Sequence, residues 1–443
     1  MPFILPVFKR KADPVSKRQP RQSWPWLALL VVVLVAGLFG YVQWTRLRSG
    51  DPYSVSVREI VQDYRFSIPR WEVTALRSEL LERVAVGHLD PDTSESKQSV
   101  LAYLDTAGRM GALEGHIERT IILSTNRAEA CASVASVQEE VEELRAVQEE
   151  KRPPVERILE KQVTQMLVEE ELGWLGLALP PVAFQFTKLP YNLILSPRDE
   201  IRQRMSLTLI PSLSLETREA LETTLEGELL NTSALIDGIG GFSTWPTMII
   251  DRASLPWILN TIAHEWVHTY LIGFPLGRHY WSSSDATAIN ETVADIVGNE
   301  VGRKALERYY PGLVPPPPPQ RSPTSAHPVP KPDPPAFSFG EEMRITRERV
   351  DFLLAEGKVT EAEEYMEERR RFLLENGYFI RRLNQAYFAF HGTYRTSAAA
   401  PTEDPIGPRL FRLREETPDL ASFLRAVRGM KTLDDLIERV PEP

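Results

Sequence analysis

From Trp24 to Trp44 the chain reads WPWLALLVVVLVAGLFGYVQW, without a single Asp, Glu, Lys, Arg or His. At about 1.5 Å of rise per helical residue, about 20 such residues cross a hydrocarbon layer of about 30 Å. Trp24, Trp26, Tyr41 and Trp44 sit at the two ends of the run, where amphipathic rings favour the membrane interface. A cleaved signal peptide is a poorer account, because its apolar part is shorter and a small-residue cleavage site should follow. A buried core helix is poorer too, because this run is apolar all round and follows a basic block. Residues 1–22 hold six cations and one anion, so the positive-inside rule keeps them in the cytoplasm. The expectation is a single-pass protein of the cell membrane. Residues 1–22 form a cytoplasmic tail, residues 23–45 lie in the lipid bilayer, and everything after Arg46 is extracytoplasmic.

The net charge is −10 and the first 22 residues contribute +5, which leaves −15 for the part beyond the anchor. So acidic a chain lacks the basic footprint of a nucleic-acid binder, and no nucleic-acid partner is expected. Cys131 is the single cysteine, which excludes an internal disulfide framework and any cysteine-based zinc module.

Residues 46–179 read as helical. Val134, Val137, Val141, Leu144 and Val147 recur at helical spacing, and Pro153 and Pro154 are expected to end that helix and open another. Alternation at Val182–Phe186 and Leu207–Leu209, with the apolar runs Tyr191–Leu195 and Thr247–Ile250, reads as strands. A helix from Ser214 and the glycines Gly238, Gly240 and Gly241 lie among them. Residues 180–310 are therefore expected to be an α+β unit. Twelve of the 36 prolines fall within 311–335, so residues 311–337 read as a linker. Residues 338–443 read as a helical region, in which Gly357 ends one helix and Thr360 with Glu363 boxes the start of the next.

Chemistry concentrates in His264-Glu265-Trp266-Val267-His268, an H-E-x-x-H pattern in a chain with seven histidines. Ser254 can cap a helix running to Ile272 that is apolar nearly all round. Its polar residues, among them Asn260, His264, Glu265 and His268, make one narrow stripe. Histidines four apart share a helical face and suit one small cation. Catalytic zinc sites typically use three protein ligands, and the third is expected in Asn290-Glu291-Thr292-Val293-Ala294-Asp295. There Glu291 and Asp295 share one helical face. One carboxylate can complete the site while the other accepts an N–H from a ligating imidazole. Gly298 and Gly302 would let that helix approach a neighbour closely.

HEWVH followed by NETVAD resembles the gluzincins, zinc metallopeptidases that include thermolysin-like and membrane-alanyl-aminopeptidase-like families. The resemblance covers about residues 240–300 and implies His264, His268 and Glu291 as Zn2+ ligands. It also implies Glu265 as general base and Asp295 as the partner of a ligand histidine. Twenty-two residues separate His268 from Glu291, more than in those two families, and the aminopeptidase motif G-x-M-E-N is absent. Residues Gly240–Thr244 stand where a substrate-facing edge strand would run. For the oxyanion, Tyr280 is the first expectation, since thermolysin-like enzymes also place a tyrosine between the second histidine and the glutamate. The segment Tyr387–Tyr394, with His391 and Tyr394, is the second. His88, His116 and His327 read as structural or exposed.

The sequence thus predicts a zincin-like catalytic domain within a predominantly helical α+β chain, acting on a peptide or protein substrate. A non-catalytic scaffold that keeps the metal site, and a zinc hydrolase of non-peptide amides, are the rival readings.

Overall fold

A computed structural model of the protein describes residues 51–314 and 337–441, apart from positions 88, 125, 175, 176, 396, 398, 402 and 403. The expected tail, the anchor, most of the linker, His88 and His327 lie outside the described residues. Among those described, no helix is long and apolar enough to cross a membrane.

The described chain is mixed α+β and mostly helical. Five helices come first: α1 (Pro52–Ile60), α2 (Ile68–Val86), α3 (Ser94–Leu123), α4 (Arg127–Ser133) and α5 (Ala135–Glu169). A small hairpin, β1 (Gly173–Trp174) and β2 (Leu177–Ala178), leads into β3 (Phe184–Phe186), β4 (Tyr191–Pro197) and β5 (Met205–Leu209). Helix α6 (Leu215–Glu228) precedes β6 (Thr232–Gly238), β7 (Gly241–Phe242) and β8 (Thr247–Ile249). Then come α7 (Leu255–Leu271), α8 (Pro275–Arg278) and α9 (Ser284–Tyr309). After the linker follow α10 (Phe339–Ala355), α11 (Val359–Glu375), α12 (Gln385–His391), α13 (Gly407–Glu416), α14 (Leu420–Val427) and α15 (Leu433–Arg439).

The strands form an antiparallel sheet in the order β5-β4-β6 and a second sheet in the order β3-β8-β7. In the second, β8 runs parallel to β3 and antiparallel to β7, which lies at the edge. Glutamates on helices cover two other edges. Glu156 and Glu160 of α5 accept the N–H groups of Phe186 and Phe184 at 2.5 and 3.0 Å. Glu222 and Glu226 of α6 accept those of Ile236 and Ala234 at 2.6 and 2.9 Å. An edge strand offers unpaired backbone groups, and these carboxylates occupy them. For β7, β8 is the only strand neighbour among the described residues.

Two local expectations need correction. Helix α5 does not stop at its proline pair but runs through it. Val141 on one side and Val155, Ile158, Leu159 and Val163 on the other are buried, and Arg152 spans the step to Glu156 at 2.8 Å. Continuous burial of one face outweighs the hydrogen bonds that proline removes. Helix α11 likewise starts at Val359 after Lys358, without a side-chain cap, so the Thr360–Glu363 box does not form. Glu363 is drawn instead to Arg198 in a two-pronged pair at 2.6 and 2.7 Å. Gly357, in contrast, does follow the end of α10 at φ +73°.

The largest apolar core joins α3, α5, α7, α9, β3, β8 and the final helices α13–α15. At its centre α7 and α9 cross. Gly298 and Gly302 of α9 lie against Asn260 of α7 so closely that added Cβ atoms would stand 2.5 Å from its Oδ1 and 2.7 Å from its Cα. The helix pair that carries the histidines and Glu291 is thus locked by backbone contact, and a larger residue at either glycine would force it apart.

Candidate metal centre

Ser254 caps α7 by accepting from Trp257 N, as its sequence requires, and every residue from Ile262 to Val267 is buried. His264 and His268 project from the same side, one turn apart, with ring centroids 4.8 Å apart. Glu291 reaches them from α9. The three atoms His264 Nε2, His268 Nε2 and Glu291 Oε2 form a triangle with edges of 3.1, 3.4 and 3.5 Å. Tetrahedral ligation at about 2.0–2.1 Å separates ligand atoms by about 3.3–3.4 Å. The triangle therefore has dimensions that suit a small cation such as zinc, and among the described residues these three form the one group of potential ligands so placed.

The outer hydrogen bonds decide the tautomers. His264 Nδ1 lies 3.0 Å from Asp295 Oδ1. His268 Nδ1 lies 2.8 Å from Asn290 Oδ1, while the Asn290 amide N–H donates to Leu276 O at 3.3 Å. Both Nδ1 atoms face oxygens that can only accept, so in the neutral imidazoles both carry the proton and both Nε2 atoms present lone pairs. Glu291 Oε2 is buried and has no hydrogen-bond partner. Three acceptors thus converge with no donor among them. Burying one polar atom unpaired costs about 1–3 kcal/mol, so the arrangement calls for a cation.

Without a cation the same acceptors attract protons instead. Burial disfavours the charged form of His264, but once Nε2 is protonated it can donate to Glu291, and this, with Asp295 and the charge of Glu265, outweighs burial and holds its pKa well above the usual 6.5. His268 is raised in the same sense, against burial, chiefly by Glu291. Burial would raise Glu291, yet the two histidines hold its carboxyl well below the usual range. For Glu265 burial prevails over the attraction of His268 and His264, and its carboxyl is raised. A raised carboxyl beside a cation site suits a group that takes and returns protons.

Tyr280, the first expectation for the oxyanion, gives its hydroxyl to Glu291 Oε1. Tyr394 arrives from the segment after α12, with its ring centroid 6.1 Å from that of His264. Burial first, then the Glu291 charge, keeps both phenols protonated. His391 is not brought to the cluster: its Nε2 lies 3.3 Å from Asp237 Oδ2 on β6. Of that aromatic segment, Tyr394 is the member that approaches the ligands. Two further residues were not singled out for these roles in the sequence. Asn290 fixes the His268 ring, and Gly241 of β7 passes so close to Glu265 that a Cβ would stand 2.3 Å from its carboxylate. The signal for Asn290 was its place beside Glu291; for Gly241 it was the glycine cluster itself.

A cleft of about 950 Å³ opens on Glu265, His268, Glu291, Tyr280 and Tyr394, with Gly241 and Phe242 of β7 along it. No protein-family model matches this chain, and neither does any curated protein or solved structure.

Proposed function

We propose that the protein is a membrane-anchored, zinc-dependent metallopeptidase whose zincin-like domain faces away from the cytoplasm. The observation that carries this reading is the convergence of His264 Nε2, His268 Nε2 and Glu291 Oε2 without a donor, beside a buried Glu265 and an open cleft. A site built for structure alone is usually closed by four protein ligands. Here three ligands and a cleft favour catalysis over the scaffold reading. The edge strand β7 favours a peptide over a non-peptide amide, because an extended chain can add to an open edge.

His264, His268 and Glu291 would hold the zinc, oriented by Asp295, Asn290 and Tyr280. Bound zinc supplies Lewis acidity, polarising a carbonyl and lowering the pKa of water toward about 7. Glu265 takes the proton of the attacking water and passes it to the leaving amine, which balances the hydrolysis. Tyr280 and Tyr394 are neutral phenols beside Glu291, and their hydroxyls are the donors available to a developing oxyanion.

The test is zinc per chain and cleavage of a peptide library by the full chain in detergent. About one zinc in wild type, lost in Glu291→Ala, is expected from the three-ligand site. Glu265→Gln should keep the zinc and lose cleavage by about 10²–10⁴-fold. A wild type without zinc after reconstitution, or a Glu265→Gln variant as active as wild type, would refute the reading.

A further inference from the structure

The chain is acidic, but the cleft is not. Arginines enter it from five separate stretches: Arg58 from α1, Arg65 after it, Arg202 and Arg204 between β4 and β5, Arg278 at the end of α8, and Arg395 after Tyr394. Arg347 of α10 is a seventh, engaged by Asp351 at 2.8 Å. Four carboxylates line the same space. Glu265 and Glu291 belong to the metal centre, and Glu200 pairs with Arg202 at 2.7 Å, which leaves Asp285. Seven guanidiniums against four carboxylates give the cleft lining +3 in a chain of −10, and Asp351 and Asp404, which pair with Arg347 and Arg395 without lining it, bring this to +1.

Several of these cations have no carboxylate of their own. Among the described residues Arg65 and Arg278 have none within ion-pair distance, and Arg204 lies over the Tyr53 ring at 3.5 Å. Arg395 carries an independent sign of a missing ligand. It is ion-paired with Asp404 at 3.6 Å, yet its Nε and Nη1 are buried without a hydrogen-bond acceptor. A buried guanidinium short of acceptors, one residue from the Tyr394 that approaches Glu291, is a place for an incoming carboxylate. Arginine matches carboxylate geometry with two parallel N–H bonds, and a concave wall of one sign raises the local concentration of the opposite sign.

We infer that the cleft selects acidic polypeptide segments, with aspartate or glutamate side chains seated against Arg65, Arg278 and Arg395. That the anion is a polypeptide rests on the peptidase reading; the charge preference rests on the arginines.

The experiment compares peptides of one length and one cleavage core flanked by Glu, Gln or Lys. Cleavage by the full chain is measured as kcat/KM, and binding is measured by anisotropy on Glu265→Gln. The Glu peptide should exceed the Gln peptide by about 10-fold or more, and the Lys peptide should be poorest. The preference should fall as salt rises toward 1 M, where the screening length shrinks to about 3 Å. In Arg65→Gln/Arg278→Gln the Glu-to-Gln ratio should drop toward unity, and Arg65→Lys/Arg278→Lys should restore part of it. Equal cleavage of all three peptides would overturn the inference and leave the peptidase standing. Arginine-dependent binding of the Glu peptide without cleavage by wild type would do the reverse.

Discussion

The protein buries two sets of glutamates, and they are treated oppositely. Along α5, each carboxylate oxygen of Glu156 and Glu160 has a donor: the strand N–H groups of Phe186 and Phe184 on one side, Arg152 and Arg157 on the other. Glu222 is equally served, by Ile236 N, Arg381 and Arg382. At the crossing of α7 and α9, Glu291 receives one phenol and leaves its second oxygen to two imidazole lone pairs. A completed network holds sheets and helices in place. An incomplete one, equally buried and equally well packed, is a gap in the hydrogen-bond pattern suited to a cation. The same contrast separates the covered edges β3 and β6 from β7, which runs beside Glu265.

Three experiments sharpen that contrast. The largest effect is expected from Glu156→Ala, which removes the acceptor of the Phe186 N–H at the edge of β3 and one of three carboxylates around Arg152, leaving Glu82 and Glu149. Each buried donor left without its acceptor costs about 1–3 kcal/mol, to be read by denaturant unfolding. Zinc per folded chain should be unchanged, and a variant that loses zinc while staying folded would merge the two sets. Asp295→Asn comes next. It keeps the fold but weakens the orientation of His264, and zinc affinity should fall about 10–100-fold in competition with a chelator. An unaltered affinity would remove Asp295 from the site.

The smallest effect is a pH dependence of the chelated protein. Folding raises the pKa of both histidines above 6.5, so their protonation adds stability that is full below that value. This stability is lost as pH rises through the folded values. Chelated protein should therefore lose on the order of 1 kcal/mol in thermal unfolding from about pH 6 to about pH 9, and zinc should restore it. A chelated protein that gains stability over this range would contradict the raised histidine pKa values.

The candidate metal ligands were legible because a helix turns periodicity into geometry. His264 and His268 one turn apart, and Glu291 and Asp295 one turn apart, need nothing distant to share a face. The α7 cap at Ser254 and the close approach at Gly298 and Gly302 were legible for the same reason. What failed was local reasoning overridden by partners far along the chain. Pro153 and Pro154 read as a helix break until the surrounding core is seen, and Glu363 read as a cap until Arg198 claims it. His391 and Tyr394 are three residues apart, and only the packing of α12 on the β4–β6 sheet decides which of them turns to the metal centre. The arginine wall left no motif at all, since its members are scattered from Arg58 to Arg395.

That scatter has a consequence in time. Ribosomal synthesis delivers His264, His268 and Glu291 before it delivers Tyr394 and Arg395, which stand beyond the proline-rich segment. A nascent chain thus possesses its ligands while one wall of the cleft is still unmade. Full competence arrives with the last third of the polypeptide, so that translation itself schedules when the finished groove exists.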